Sequence, residues 1–207
     1  MTFWEASDNF VTEKILGINK PEYDPKICGD KIYYLKLFQE WVTTDRDTIL
    51  FWDLKEEVIT NSIKRPNIST INDICEINHL RALLVSYNSN SVPEEKTLVL
   101  YQDNKQLSKL ALGNPGSHSL CYNPSTQLVV SLGYQSIVSI YHIDVKTYDI
   151  NSVAELKAHT SILTCVCNIP DTSMIISGDD IGFVKLWDLN YMRCLQSIKI
   201  AKNLQQI

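Results

Sequence analysis

The chain has 207 residues, a formal net charge of −5 and 44% apolar residues. That length accommodates one or two domains with a substantial core, and the apolar share excludes a disordered or low-complexity chain. Lys and Arg are scattered through an acidic total, which argues against a nucleic-acid partner. The six cysteines, at 28, 75, 121, 165, 167 and 194, form no C-x-x-C pair and no disulfide framework. Reduced thiols suit a cytoplasmic compartment, and Cys165 and Cys167, two apart on one face of a predicted strand, read as small apolar core fillers. The first 16 residues lack the basic and apolar regions of a signal peptide, and no apolar run approaches the ~18 residues of a membrane helix. No membrane partner is therefore expected, and the sequon Asn67-Ile68-Ser69 reads as incidental.

Short apolar runs separated by Gly, Pro, Asn and Ser punctuate the chain as an all-β protein. Residues 1–16 read as the end of a repeat: Phe3-Trp4-Glu5 closes one strand and 10–16 forms an outer one. After a Pro-bearing connection at 19–29, strands are predicted over 31–38, 40–44, 48–54 and 57–63, with Asp45-Arg46-Asp47 as the middle turn. The next group is 71–77, 80–87, 97–101 and 106–112, interrupted at 88–96 by a polar loop holding Pro93, Glu94 and Glu95. The turn at 114–117 leads into 118–122, 128–132, 137–141 and 151–156. The last group opens on Leu156-Lys157-Ala158-His159-Thr160 and runs through Leu163-Thr164-Cys165-Val166-Cys167, Ile175-Ile176-Ser177-Gly178-Asp179-Asp180 and Val184-Lys185-Leu186-Trp187-Asp188, ending in 194–200. A polar tail, 201–207, follows.

A repeat organises these groups. Trp187, Tyr141, Tyr101, Trp52 and Trp4 are spaced 46, 40, 49 and 48 residues apart. Apolar residues stand three and one before each of the first four aromatics: Val184 and Leu186, Val138 and Ile140, Leu98 and Leu100, Ile49 and Phe51. Ser131 matches Ser177 ten residues before the aromatic, Ser86 matches with a longer loop after it, and Asp45 matches Asp180 seven before. Asn123-Pro124-Ser125 parallels Ile169-Pro170-Asp171.

The last group resembles one complete repeat of the WD-repeat β-propeller family, whose spacing of ~40–45 residues the ruler brackets. The resemblance implies an all-β fold of four-stranded blades in a single propeller region over 1–207: the end of a preceding blade at 1–16, then repeats at 30–63, 68–112, 117–156 and 159–200. Family rings mostly hold seven or eight blades, so four repeats imply half of a ring, completed by a longer chain or by self-association. The resemblance further implies a hydrogen-bonded chain on His159, Ser177 and Trp187. The family's Asp position, six before the Trp, holds Ile181, and Asp180 is the expected substitute.

In this family partners commonly dock on the second-to-third strand turns and the loops leading into first strands. Mapped here, that face carries Asp45, Arg46, Asp47, Glu94, Glu95, Tyr134, Asp179 and Asp180, an acidic surface suited to basic peptides. Asp179-Asp180 and Asp45/Asp47 are also the tight carboxylate pairs, but turn Asp commonly bonds local backbone. His79, His118 and His142 follow no metal-ligand spacing, and phosphate-loop, nucleophile-elbow and dinucleotide motifs are absent. The function implied is a non-enzymatic protein–protein interaction scaffold without cofactor or metal. The alternatives are a propeller hydrolase and a nucleic-acid or chromatin adaptor. The worn repeats, with Asp seven before each Trp, resemble propellers of cilia and the cytoskeleton.

Overall fold

The computed structural model describes residues 31–65, 70–89, 92, 94, 96–113 and 116–200. The predicted strands within 1–16, the 19–29 connection, the 201–207 tail, the sequon and Glu95 lie outside the described residues. Among the described residues the fold is all-β: sixteen strands in four antiparallel sheets of four, each in simple chain order. Contacts divide the chain into two compact units, Met1–Asn67 and Ile68–Ile207.

Among its described residues the first unit holds one sheet, β1 (Lys31–Leu35), β2 (Glu40–Asp45), β3 (Thr48–Asp53) and β4 (Val58–Lys64). Its third strand buries Ile49, Leu50, Phe51 and Trp52 in succession, the pattern of a strand covered on both faces. The Trp52 indole N–H donates to Thr43 Oγ1 at 2.9 Å, which satisfies its polar atom inside the apolar setting.

The second unit holds three sheets. These are β5 (Thr70–Ile77), β6 (Ala82–Asn88), β7 (Thr97–Gln102) and β8 (Lys105–Ala111); β9 (Ser119–Asn123), β10 (Leu128–Leu132), β11 (Ile137–Ile143) and β12 (Ile150–Lys157); and β13 (Leu163–Asn168), β14 (Met174–Asp179), β15 (Phe183–Asp188) and β16 (Arg193–Lys199). A strand predicted from Leu80 starts instead at Ala82, because Asn78–Leu80 forms a 3₁₀ turn closed by Arg81 in the left-handed region. The Gln102 side-chain N–H holds the Leu80 carbonyl at 2.8 Å.

The middle sheet of this unit is sandwiched. Leu120, Tyr122, Val129 and Tyr141 pack toward the β5–β8 sheet against Leu84, Leu98 and Leu100. Cys121, Val130, Leu132 and Ile140 pack toward the β13–β16 sheet against Leu163, Ile175 and Trp187. Each fully buried aliphatic side chain contributes about 1.5–3 kcal/mol, so these two layers dominate the stability of the unit. Polar bonds fix the register between first strands: Asp73 Oδ2 accepts from Leu120 N at 2.7 Å, and Asn72 Nδ2 donates to Ser117 O at 2.7 Å.

The aromatic ruler coincides with a backbone irregularity. In all four sheets the pairing of third and fourth strands shifts register at the aromatic: between Phe51 and Trp52, Leu100 and Tyr101, Ile140 and Tyr141, and Leu186 and Trp187. The outer strand carries one extra residue there, Thr60, Leu107, Val153 or Leu195. Such bulges increase local twist, so the same distortion recurs where each large ring is seated.

Candidate functional site

Ser177 and Asp179 lie two residues apart on β14, and strand alternation points both side chains to one face. Trp187 joins them across the β14–β15 ladder, where it faces Ile175. The loop feeding β13 brings His159 over the same face. The result is a continuous chain: Trp187 Nε1–H donates to Ser177 Oγ at 2.8 Å, Ser177 meets His159 Nε2 at 2.7 Å, and His159 Nδ1 meets Asp179 Oδ2 at 2.7 Å. Asp179 Oδ1 then accepts from Phe183 N at 2.8 Å, and Gly182, at φ +86°, closes the three-residue turn.

The carboxylate in this chain is Asp179, not the expected Asp180. Asp180 begins the turn, faces solvent and engages the feeding loop through its backbone N–H to Ile162 O at 3.0 Å. The pairing also reassigns two other matches. Asp45, two beyond Thr43, stands in the register of Asp179 rather than Asp180. Ser86 lies on the wrong face of its sheet, and Val85 takes the position matched by Ser131 and Ser177.

The network assigns the protons. A neutral His159 with its hydrogen on Nδ1 donates to the Asp179 carboxylate and accepts the Ser177 O–H at Nε2, while Ser177 Oγ accepts from Trp187, so every polar atom has a complementary partner. Burial pushes the His159 pKa below its ordinary value and outweighs the upward pull of the hydrogen bond and charge of Asp179. The arrangement of Ser, His and Asp copies a nucleophile, a base and an orienting acid. Ser177, however, has no solvent exposure and its oxygen is held by the indole, so these groups clamp the feeding loop to the β14–β15 turn.

The face expected to meet partners divides between the two units. In the first, Arg46 is exposed in the left-handed region at the β2–β3 turn, flanked by half-buried Asp45 and Asp47, and Asp47 Oδ1 accepts from Thr48 Oγ1. In the second, Glu94, Tyr134 and Asp180 are exposed, whereas Asp179 is buried and drops out of the surface. Glu95 lies outside the described residues. His118, which follows no metal-ligand spacing in the sequence, stitches two sheets: its nitrogens lie 2.7 Å from Leu132 O and 2.8 Å from Leu163 O, and Tyr134 packs on it with centroids 4.7 Å apart. The signal was its place directly before a first strand. Leu163 N reaches Gln135 O at 3.3 Å, so in this unit the Tyr134 turn, the start of β13 and the Asp180 turn are contiguous.

The cysteine reading is corrected for two residues. Cys165 and Cys167 are exposed on the outward face of β13, while Cys121, at the register position of Cys167 in the preceding sheet, is buried and its thiol is pushed up to about 12. Among the described residues no three His, Cys, Asp or Glu side chains gather as a metal site, and no helix is long and apolar enough to cross a membrane.

No protein-family model matches the chain. A segment of 52 residues, 25% of the chain, is 36% identical to the nuclear distribution protein PAC1 of Candida dubliniensis, a WD-repeat protein. The match spans 11% of that relative's length. The chain is thus an all-β protein of four-stranded antiparallel sheets, similar over one short stretch to a WD-repeat protein.

Proposed function

We propose that this chain is a stretch of WD-repeat propeller, with repeats at 30–63, 68–112, 117–156 and 159–200, acting as a non-catalytic scaffold for protein partners in the cytoplasm. The observation that carries the reading is the clamp from Trp187 to Asp179. It spends four side chains on holding a turn and a feeding loop together, which is what a surface needs to present fixed contacts. The partner class is a basic peptide: the second unit offers it Asp180, contiguous with the Tyr134 turn, and the exposed Glu94, and the first unit, taken by itself, offers Asp45 and Asp47. A name referring to nuclear distribution belongs to the relative; for this chain, association with the cytoskeleton is the corresponding proposal. The test is capture of a Lys/Arg-rich peptide library by the chain, compared with an Asp45→Arg, Glu94→Arg, Asp180→Arg variant. Loss of basic peptides from the variant supports the reading, and unchanged capture overturns the acidic face.

A second reading, self-association or completion by further chain, is favoured by the outward face of the β13–β16 sheet, where Cys165, Cys167, Ile176, Leu186 and Ile198 share one side. Its counterpart on the β9–β12 sheet is covered by the next sheet. Light scattering across concentrations separates the two: a species near twice 23.6 kDa supports pairing of copies, and a monomer at all concentrations refutes self-association.

A further inference from the structure

The register that places the clamp in the β13–β16 sheet can be followed into its neighbours. Ser177, Asp179 and Trp187 correspond by pairing to Val85, Tyr87 and Tyr101 in the β5–β8 sheet, and to Ser131, Gly133 and Tyr141 in the β9–β12 sheet. In the first of these the place of the acid is filled by Tyr87, fully buried with its hydroxyl 3.1 Å from Tyr101. In the second it is Gly133, with no side chain. The loop feeding β9 reads Gly113-Asn114-Pro115-Gly116-Ser117-His118, and its one imidazole, His118, is engaged by Leu132 O and Leu163 O.

A cavity of about 130 Å³ results, lined by Ser131, Gly133, Ser139 and Tyr141, with Gly116 on the loop side and the exposed Glu155 at its mouth. Ser131 is 3% exposed and, unlike Ser177, its hydroxyl makes no hydrogen bond among the described residues. A cavity of roughly 150 Å³ accepts a benzene ring, so this one has room for a five-membered ring. Its polar lining separates it from a dry apolar void, since the Ser131 hydroxyl opens into the slot and can bond an occupant in place of solvent. Burial raises the pKa of Tyr141, against a lowering hydrogen bond from Ser139, so the phenol keeps its proton and stays a donor at neutral pH.

We propose that this slot is a binding site for an imidazole-class ring, either a free five-membered nitrogen heterocycle or the side chain of a histidine. The argument is internal: one sheet along, the same place holds His159, with Nε2 on the serine. In the β9–β12 sheet Ser131 supplies that hydroxyl and Tyr141 replaces the indole, while Glu155 at the mouth is paired with Lys157 at 3.2 Å. Gly133 and Gln135 of its lining flank Tyr134 of the proposed partner face, but the binding of a ring in the slot does not depend on capture of a basic peptide.

The test is a titration of the isotope-labelled full chain with imidazole at matched pH, followed by amide and side-chain resonances. Saturable shifts at Ser131, Gly133 and Tyr141, with Kd on the order of millimolar for a ligand of five heavy atoms, are expected, and Ser177 and Asp179 should not move. Ser131→Ala should weaken binding about five- to tenfold, and Gly133→Asp, which restores the acid of the neighbouring sheet, should tighten it by a similar factor. Blocked histidine and blocked alanine separate the sources: saturation by the former alone assigns a side chain, whereas imidazole binding without either assigns a free ring. The proposal is overturned by shifts that stay linear to about 50 mM, by Ser131→Ala binding as the parent does, or by thiophene, a ring of the same size without nitrogen, binding equally well.

Discussion

The β10–β11 turn and the β14–β15 turn occupy the same place in neighbouring sheets and are held in different ways. At β14 a buried polar relay of four side chains ties turn, feeding loop and third strand together. At β10 the corresponding positions carry Ser131, Gly133 and Tyr141, and the sheet is held by apolar layers on both of its faces. A sheet sandwiched between two others has burial to spare, and loss of a polar clamp there leaves a slot without unfolding the blade. Among the described residues the β13–β16 sheet buries one face against a neighbouring sheet of its unit, so its directional bonds carry a larger share of the constraint on its loops.

The largest test of that contrast is Trp187→Ala. Removing a 2%-exposed indole leaves a cavity and takes the donor from Ser177, so a loss of about 3–5 kcal/mol is expected in urea unfolding of the chain. Trp187→Phe restores most of the volume and should recover more than half of the loss, leaving the cost of the missing hydrogen bond. If phenylalanine recovered nothing, the indole N–H rather than packing would be the main term.

Next comes His159→Ala, which strands the Asp179 carboxylate at 1% exposure with only the Phe183 amide as partner. About 2–3 kcal/mol should be lost, against less than about 0.5 kcal/mol for Ser131→Ala, whose hydroxyl holds nothing comparable. A cycle of His159→Ala with Asp179→Ala should show coupling of about 1–3 kcal/mol, while His159→Ala with Ser131→Ala should be additive. Equal costs at Ser177 and Ser131 would erase the distinction between the two sheets.

A smaller effect is expected from pH. In the unfolded chain His159 titrates near its ordinary value of about 6.5; in the fold burial lowers it. The unfolded state therefore takes up this proton first as pH falls. The stabilisation is complete above about pH 6.5, declines as pH drops through the lowered folded value, and is constant below it. Unfolding midpoints should fall with pH across this window for the parent, and the difference against His159→Gln, which removes the titrating ring, should carry that slope. A slope of the opposite sign would mean that the charged imidazolium pairs with Asp179 in the fold.

Much of this was legible from residue patterns. The aromatic ruler worked because each ring sits where an outer-strand bulge recurs, and the apolar pairs three and one before it share a sheet face. Counting back from Trp187 mistook Asp180 for Asp179 because such a count assumes a turn length. Stepping forward by two from Ser177 along a strand needs no such assumption and lands on the buried acid. Ser86 failed because the loop at 88–96 leaves the count open, and a match one residue from Val85 changes the face. Thr43, which receives the Trp52 N–H, escaped notice because that turn is one residue shorter than the one after Asp179. The vacant place at Gly133 was not legible at all, since a missing side chain is visible only once the neighbours that ought to fill it are in view.

The misread cysteines supply the finest comparison. Cys121 faces Val130 across β9 and β10 as Cys167 faces Ile176 across β13 and β14, so the two thiols hold one register position in successive sheets. Alternation predicts the same side of the sheet for both, but burial is decided by what packs outside the strand, and only Cys121 has a sheet against it. Burial pushes the Cys121 thiol up to about 12 and raises that of Cys75, so neither presents thiolate at neutral pH. Limited alkylation of the native chain with iodoacetamide, read by peptide mass, should therefore mark Cys165 and Cys167 and spare Cys121 and Cys75. Protection of Cys167 that grows with protein concentration would show a second copy covering this face, whereas labelling of Cys121 at the same rate would show that the layer between the β9–β12 and β13–β16 sheets opens in solution.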